Sequence, residues 1–153
     1  MGATPKDGPS AGTSLFAALV SVATQKPVAA NLAMTGEITT LGEVLTIGGV
    51  REKLTACKNH SITRVILPLS NRKHVKKLPE DFKRGFTIYY VTNIKQLHRV
   101  CFSEGLEVTD KEGFEQSLKD LGVEIDQFET DNFNKVVFEN EAIDTTNNVN
   151  NLF

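Results

Sequence analysis

Twelve residues, Met1-Gly-Ala-Thr-Pro-Lys-Asp-Gly-Pro-Ser-Ala-Gly12, run without a linker into an apolar, alanine-rich stretch. A chain that turns through Gly2, Pro5, Gly8 and Pro9 and then becomes helical places Ser10 at a helix N-terminus. The helix is predicted over Ser10–Thr24, with Leu15, Phe16, Leu19, Val20 and Ala23 at helical spacing. So little of its surface is polar that burial on most sides is expected. Backbone N–H groups at such an end lack partners and the helix dipole favours negative charge there. Two readings of Ser10 follow: an ordinary capping serine, or a nucleophilic oxygen whose oxyanion the helix end stabilises.

The segments that follow alternate. Gln25-Lys-Pro27 ends the first helix, because proline cannot continue it. Leu32–Thr39, interrupted at Gly36, and Glu43–Ile47 read as strands about a turn at Thr39-Thr-Leu-Gly42. Gly48-Gly49 opens a helix from Val50 to about Asn59, with Val50, Leu54 and Cys57 on one face, Lys53 beside it, and His60 and Ser61 at its close. Arg64–Leu69 is a short apolar strand of the kind covered on both faces. A basic helix over Asn71–Leu78, a β-branched and aromatic strand over Phe86–Val91, and a helix capped by Asn93 complete the pattern. The alternation predicts an α/β fold.

Lys53 is open to two readings, a solvated helix lysine or a base beside apolar neighbours. A lysine serves as base only as the neutral amine, which burial and a nearby helix N-terminus favour. Thr35 is either a plain strand threonine or a hydroxyl that orients an amine. Asp7, three residues before Ser10, either orders the loop or sits exposed in it. Glu52 is expected on another part of its helix, in a structural role. Histidines 60, 74 and 98 show no motif that links them to a nucleophile. Cys57 and Cys101 fall among apolar helix positions without metal-ligand spacing, so buried free thiols are expected and no metal site is. Gly2–Gly8 lacks the GxxxxGK[ST] order of a phosphate-binding loop.

Three blocks, GATPKDGPSAG (2–12), AMTGEIT (33–39) and GEVLTIGGVREKL (42–54), together resemble the C-terminal part of the proteolytic domain of Lon, the ATP-dependent serine proteases. They occur in that family's order and at its spacing. The resemblance implies a serine-type endopeptidase that degrades misfolded or regulatory proteins with a Ser–Lys dyad. Ser10 would be the nucleophile and Lys53 the general base. It further implies that Thr35 and Asp7 support the dyad, and that Gly8, Pro9 and Ala11 shape the loop and oxyanion hole. The family's partners are unfolded protein substrates and a hexameric ring of its own subunits, and its compartments are the mitochondrial matrix or cytoplasm. Where the family has LRG after GEIT, this chain has Thr40-Leu41-Gly42, one charge fewer at that turn. The ATPase motifs that precede the proteolytic domain in Lon do not occur in these residues. ATP and Mg are therefore expected only with such a module, and no cofactor with this segment. The alternative reading is a truncated, catalytically silent Lon-like segment that acts as a binding or assembly module.

Charge divides the chain. Residues 1–103 hold 14 Lys/Arg against 6 Asp/Glu, whereas residues 104–153 hold 3 against 13. The expected organisation is a Lon-type domain over 1–104, lacking the family's earlier strands, and an acidic, largely irregular tail over 105–153. Within that tail a short helix is predicted over 111–121 through Phe114, Leu118 and Leu121, and a disordered end from Asn140. The tail is expected to be dispensable for the fold. No stretch of 18 apolar residues and no leader pattern occurs, so neither a membrane nor a targeting segment is expected. The basic run Arg72-Lys73-His74-Val75-Lys76-Lys77 lacks interleaved aromatics and reads as a solvated helix face rather than a nucleic-acid site.

Overall fold

The computed structural model of the chain describes residues 8–103 and 109–129. A four-stranded sheet organises them, in the order β1 (Leu32–Met34), β4 (Arg64–Pro68), β5 (Thr87–Val91), β6 (Glu124–Gln127). The first three strands run parallel and β6 pairs antiparallel with β5, Tyr89 opposite Ile125. A separate hairpin joins β2 (Glu37–Ile38) to β3 (Val44–Leu45). Its turn closes through Gly42, which donates to the Thr39 carbonyl at 2.9 Å and takes φ +81°.

Alternation along β4 and β5 sends successive side chains to opposite faces. Ile66, Tyr89 and Val91 face one layer of helices, α1 (Gly12–Thr24), α5 (Ile94–Cys101) and α6 (Lys111–Asp120). Val65, Leu67, Ile88 and Tyr90 face the other, α2 (Val50–Asn59), α3 (Arg72–Lys76) and α4 (Glu80–Lys83). Both faces are covered, as the apolar run at Arg64–Leu69 predicts. The α2 limits match the sequence expectation, and Asn93 caps α5 by accepting from the Lys95 and Gln96 amides at 3.0 and 3.1 Å. The four-residue α4 is not visible in the sequence pattern; Pro79 at its N-cap starts it.

Two expectations are corrected. Helix α1 buries only Thr13 and Ala17, while Leu15, Leu19 and Val22 are 59, 72 and 71% exposed. Apolar spacing marks a helix but does not say how many sides neighbours cover. The start of the acidic tail is also more ordered than expected: the predicted short helix is present as α6, and a strand, β6, follows it. Phe114, Leu118 and Val123 are buried in the core with Leu97 and Val100, and β6 closes the sheet. Val123-Glu-Ile-Asp alternates apolar and polar residues over too short a run to announce a strand by itself; it pairs where β5 offers an open edge and Arg72 neutralises its acids. Arg72 binds Asp126 at 2.7 Å and also contacts Glu124. The expected disordered end, from Asn140, lies outside the described residues, and no described helix is long and apolar enough to cross a membrane.

Candidate active site

A tight helical turn, Pro9–Ala11, carries Ser10 directly into α1. Gly8 before it sits at φ 86°, ψ 161°, a region open essentially to glycine alone. The Ser10 carbonyl accepts from the Gly36 amide at 3.0 Å and from the Thr35 hydroxyl at 3.1 Å. In return the Thr13 amide donates to the Gly36 carbonyl at 3.1 Å. This close approach depends on two missing methyls. A Cβ on Gly12 would lie 2.9 Å from the Ile38 nitrogen, and one on Gly36 would lie 2.7 Å from Thr13 Cγ2. Ser10 is thus held by the strand segment Thr35–Glu37 as well as by its own helix.

Lys53 is placed by α2. Gly49, at φ +66°, starts this helix, and the Lys53 amide donates to the Gly49 carbonyl at 3.0 Å. Val50, Leu54 and Cys57 anchor it in the core, leaving Lys53 half-buried at the edge of the anchored face. Asn71 steadies the loop before it. Fully buried, its side-chain amide accepts from the Ile47 N–H at 3.0 Å and donates to the Ile47 carbonyl at 2.8 Å.

Ser10 and Lys53 meet in the walls of two cavities. The first, about 310 Å³, continues along Ser14, Ala33, Met34 and Cys57. The second, about 230 Å³, is formed with Gly8, Pro9, Glu37, Thr46 and Gly48. Both residues line both cavities, so a group bridging the two would pass between them. No hydrogen bond joins the Ser10 and Lys53 side chains among the described residues; catalytic contacts often tighten only with substrate.

The remaining expected site residues divide. Thr35, nine-tenths buried, shares the first cavity with Lys53, but its hydroxyl donates to the Ser10 carbonyl, which leaves its oxygen lone pairs to accept from a donor in that cavity. Ala11 lines the first cavity, and Gly8 and Pro9 line the second. Asp7 lies outside the described residues. Glu52 is exposed and lines neither Ser10 cavity. No histidine lines either cavity: His74 bonds Asn71, and His98 rests against Phe102. Cys57 and Cys101 are buried free thiols. Burial raises both pKa values, that of Cys101 to about 12, which disfavours the thiolate at the one cysteine near Ser10. Among the described residues no group of three or more His, Cys, Asp or Glu gathers as metal ligands would. Sequence reasoning did not single out Asn71 as a loop clamp, or Gly12 and Gly36 as the contact between Ser10 and the strand. Asn71 leaves no local signal, since Ile47 is 24 residues away.

Comparison with known proteins supplies the family. The model for the Lon protease (S16) C-terminal proteolytic domain matches residues 1–104. The chain is 48% identical over 100 residues to the Lon protease of Buchnera aphidicola, covering 65% of this chain and 13% of that protein. It is 41% identical over 115 residues to the mitochondrial Lon protease homolog of Drosophila melanogaster, covering 75% and 11%. With the mitochondrial homolog of Rattus norvegicus it shares 45% over 101 residues, covering 66% and 11%. The chain therefore spans only about an eighth of the length of these curated relatives.

Proposed function

As this chain belongs to the Lon protease family, we propose that it is the catalytic segment of a serine endopeptidase in which Ser10 is the nucleophile and Lys53 the general base. The observation that carries this reading is the shared placement of Ser10 and Lys53 in the walls of two adjoining cavities. Neutral Lys53 takes the Ser10 hydroxyl proton as the oxygen attacks the peptide carbonyl carbon. The resulting oxyanion lies toward the N–H groups of the Pro9–Ala11 turn. The Lys53 ammonium then gives its proton to the departing nitrogen as the C–N bond breaks. Water repeats the sequence on the acyl-serine and frees Ser10. Thr35 holds the Ser10 backbone and accepts from the amine, and Asp7 orders the preceding loop.

In the whole protein we place this segment beside an ATPase module, which would use ATP and Mg to deliver unfolded chains to a homo-oligomeric ring. The proposed compartment is the mitochondrial matrix or the cytoplasm, the former resting on relatives named as mitochondrial. A second reading, a silent binding or assembly module, draws on the exposed stripe Leu15, Leu19 and Val22 of α1.

The test joins this chain to a Lon-type upstream segment and follows a fluorogenic peptide. Ser10→Ala should abolish turnover, as should Lys53→Gln, which removes the base at similar bulk. Lys53→Arg should fail as well, because a guanidinium stays protonated at working pH. Turnover that survives Lys53→Arg rules out the dyad, and an inert wild type favours the silent module.

A further inference from the structure

A third cavity, about 280 Å³, adjoins the second and shares Ile47 and Gly48 with it. It is formed by the start of α2 together with His74 and Leu78. The three cavities make a series: the first meets the second at Ser10 and Lys53, and the second meets the third at Gly48. A peptide bond presented to Ser10 therefore has one flank in the first cavity and the other running through the second and third.

Gly48 is the informative residue on this path. Gly8 and Gly49 need positive φ, and Gly12 and Gly36 would clash if they bore a Cβ. Gly48 has neither need: its φ lies outside the positive range and a Cβ built on it meets nothing within 4 Å. The fold does not require glycine there. What glycine provides is open floor between two cavities, enough for another chain to cross close to the backbone. Beside that floor stands Glu37, a half-buried carboxylate in the second cavity with no hydrogen bond or ion pair to its side chain among the described residues. Lys53 lines the same cavity; with it serving as the neutral amine, a carboxylate in that recess favours a cationic side chain and opposes an anionic one.

We infer that one flank of the substrate crosses Gly48 from the second cavity to the third, and that Glu37 selects for a basic residue beside the cleaved bond on that flank. The inference rests on the peptidase reading of the site and adds a direction and a specificity to it.

The experiment measures binding, so that it does not depend on turnover. The 153-residue chain carrying Ser10→Ala is titrated against fluorescein-labelled heptapeptides, and anisotropy is followed. The central pair of each is Leu-Lys, Lys-Leu, Leu-Glu or Glu-Leu. In one of the two orders the lysine peptide should bind about 5-fold more tightly than its glutamate counterpart, the upper range for a partly exposed ion pair. Glu37→Gln should remove that ratio and Glu37→Lys should invert it. Gly48→Val should weaken every peptide about 10-fold, equivalent to about 1.4 kcal/mol of binding, while the melting temperature stays that of the parent. Equal binding of lysine and glutamate peptides in both orders, peptide affinity unchanged by Gly48→Val, or no binding at all overturns the inference. So does a Gly48→Val protein that melts early, since glycine would then serve the fold. A wild-type chain that stays inert in the fluorogenic assay while the binding pattern holds would count against the peptidase reading alone.

Discussion

Two glycines near Ser10, Gly12 and Gly48, do different physical work, and alanine substitution separates them. A Cβ on Gly12 would meet backbone, the Ile38 nitrogen at 2.9 Å and the Gly36 carbonyl at 3.1 Å, so neither neighbour can rotate away. Gly12→Ala should cost about 1–3 kcal/mol, the range for an overpacked contact, and should displace Ser10 from the Thr35–Gly36 clamp. Gly48→Ala, with open space at its Cβ, should change stability by less than about 0.5 kcal/mol. Urea denaturation of the two variants checks both. Equal losses would mean that the contact between α1 and the strand is softer than its geometry implies.

At the scale of elements, β6 joins the sheet through both packing and charge. Arg72 donates to Asp126 from Nε at 3.2 Å and from Nη2 at 2.7 Å. Burial works to raise the Asp126 pKa, but the hydrogen bonds and positive charge of Arg72 outweigh it and hold the carboxyl below its ordinary value. A lowered carboxyl pKa stabilises the fold above the unfolded-state value, and that contribution disappears as pH falls through the folded-state value. Asp126→Asn should therefore lose on the order of 1 kcal/mol near neutrality, a charged hydrogen bond discounted for partial exposure. The loss should shrink in acid; a penalty independent of pH would show that charge is not what holds the strand. Packing is the larger contribution. Phe114→Ala should cost about 3–5 kcal/mol, because Phe114 is only 2% exposed. Ending the chain after Ser103 should expose Tyr89, Leu97 and Val100 and reduce cooperative unfolding measured by circular dichroism. A truncated chain as stable as the parent would show that residues 109–129 only rest on the core.

Considered whole, the molecule covers both faces of its sheet yet leaves α1 apolar toward solvent. Leu15, Leu19 and Val22 at 59–72% exposure contribute little to the fold of this chain. Leu19→Gln should leave the melting temperature within about 2 °C, the shift that corresponds to a surface change of a few tenths of a kcal/mol. A drop of several degrees would mean that the stripe is covered in solution.

Much of this was legible in the amino-acid order. Wherever a local period, a cap or a stop carried the information, as in α2, the two parallel strands β4 and β5, the Asn93 cap and the turn at Gly42, the reading from sequence and the structure agree. The three blocks that resemble Lon also located the serine and lysine that share the cavity walls. Contacts between distant residues left no such mark. Whether a Leu on α1 faces a neighbour or water depends on what packs beside it, and amphipathic spacing is blind to that. Glu-Ile-Asp-Gln becomes a strand only because β5 has a free edge and Arg72 stands where its acids land. The gap at Gly48 differs in kind from the crowding at Gly12, yet both are written as the same residue. Local propensity follows from a residue and its neighbours in sequence; burial, strand pairing and open space follow from residues tens of positions away, and only tertiary structure brings those together.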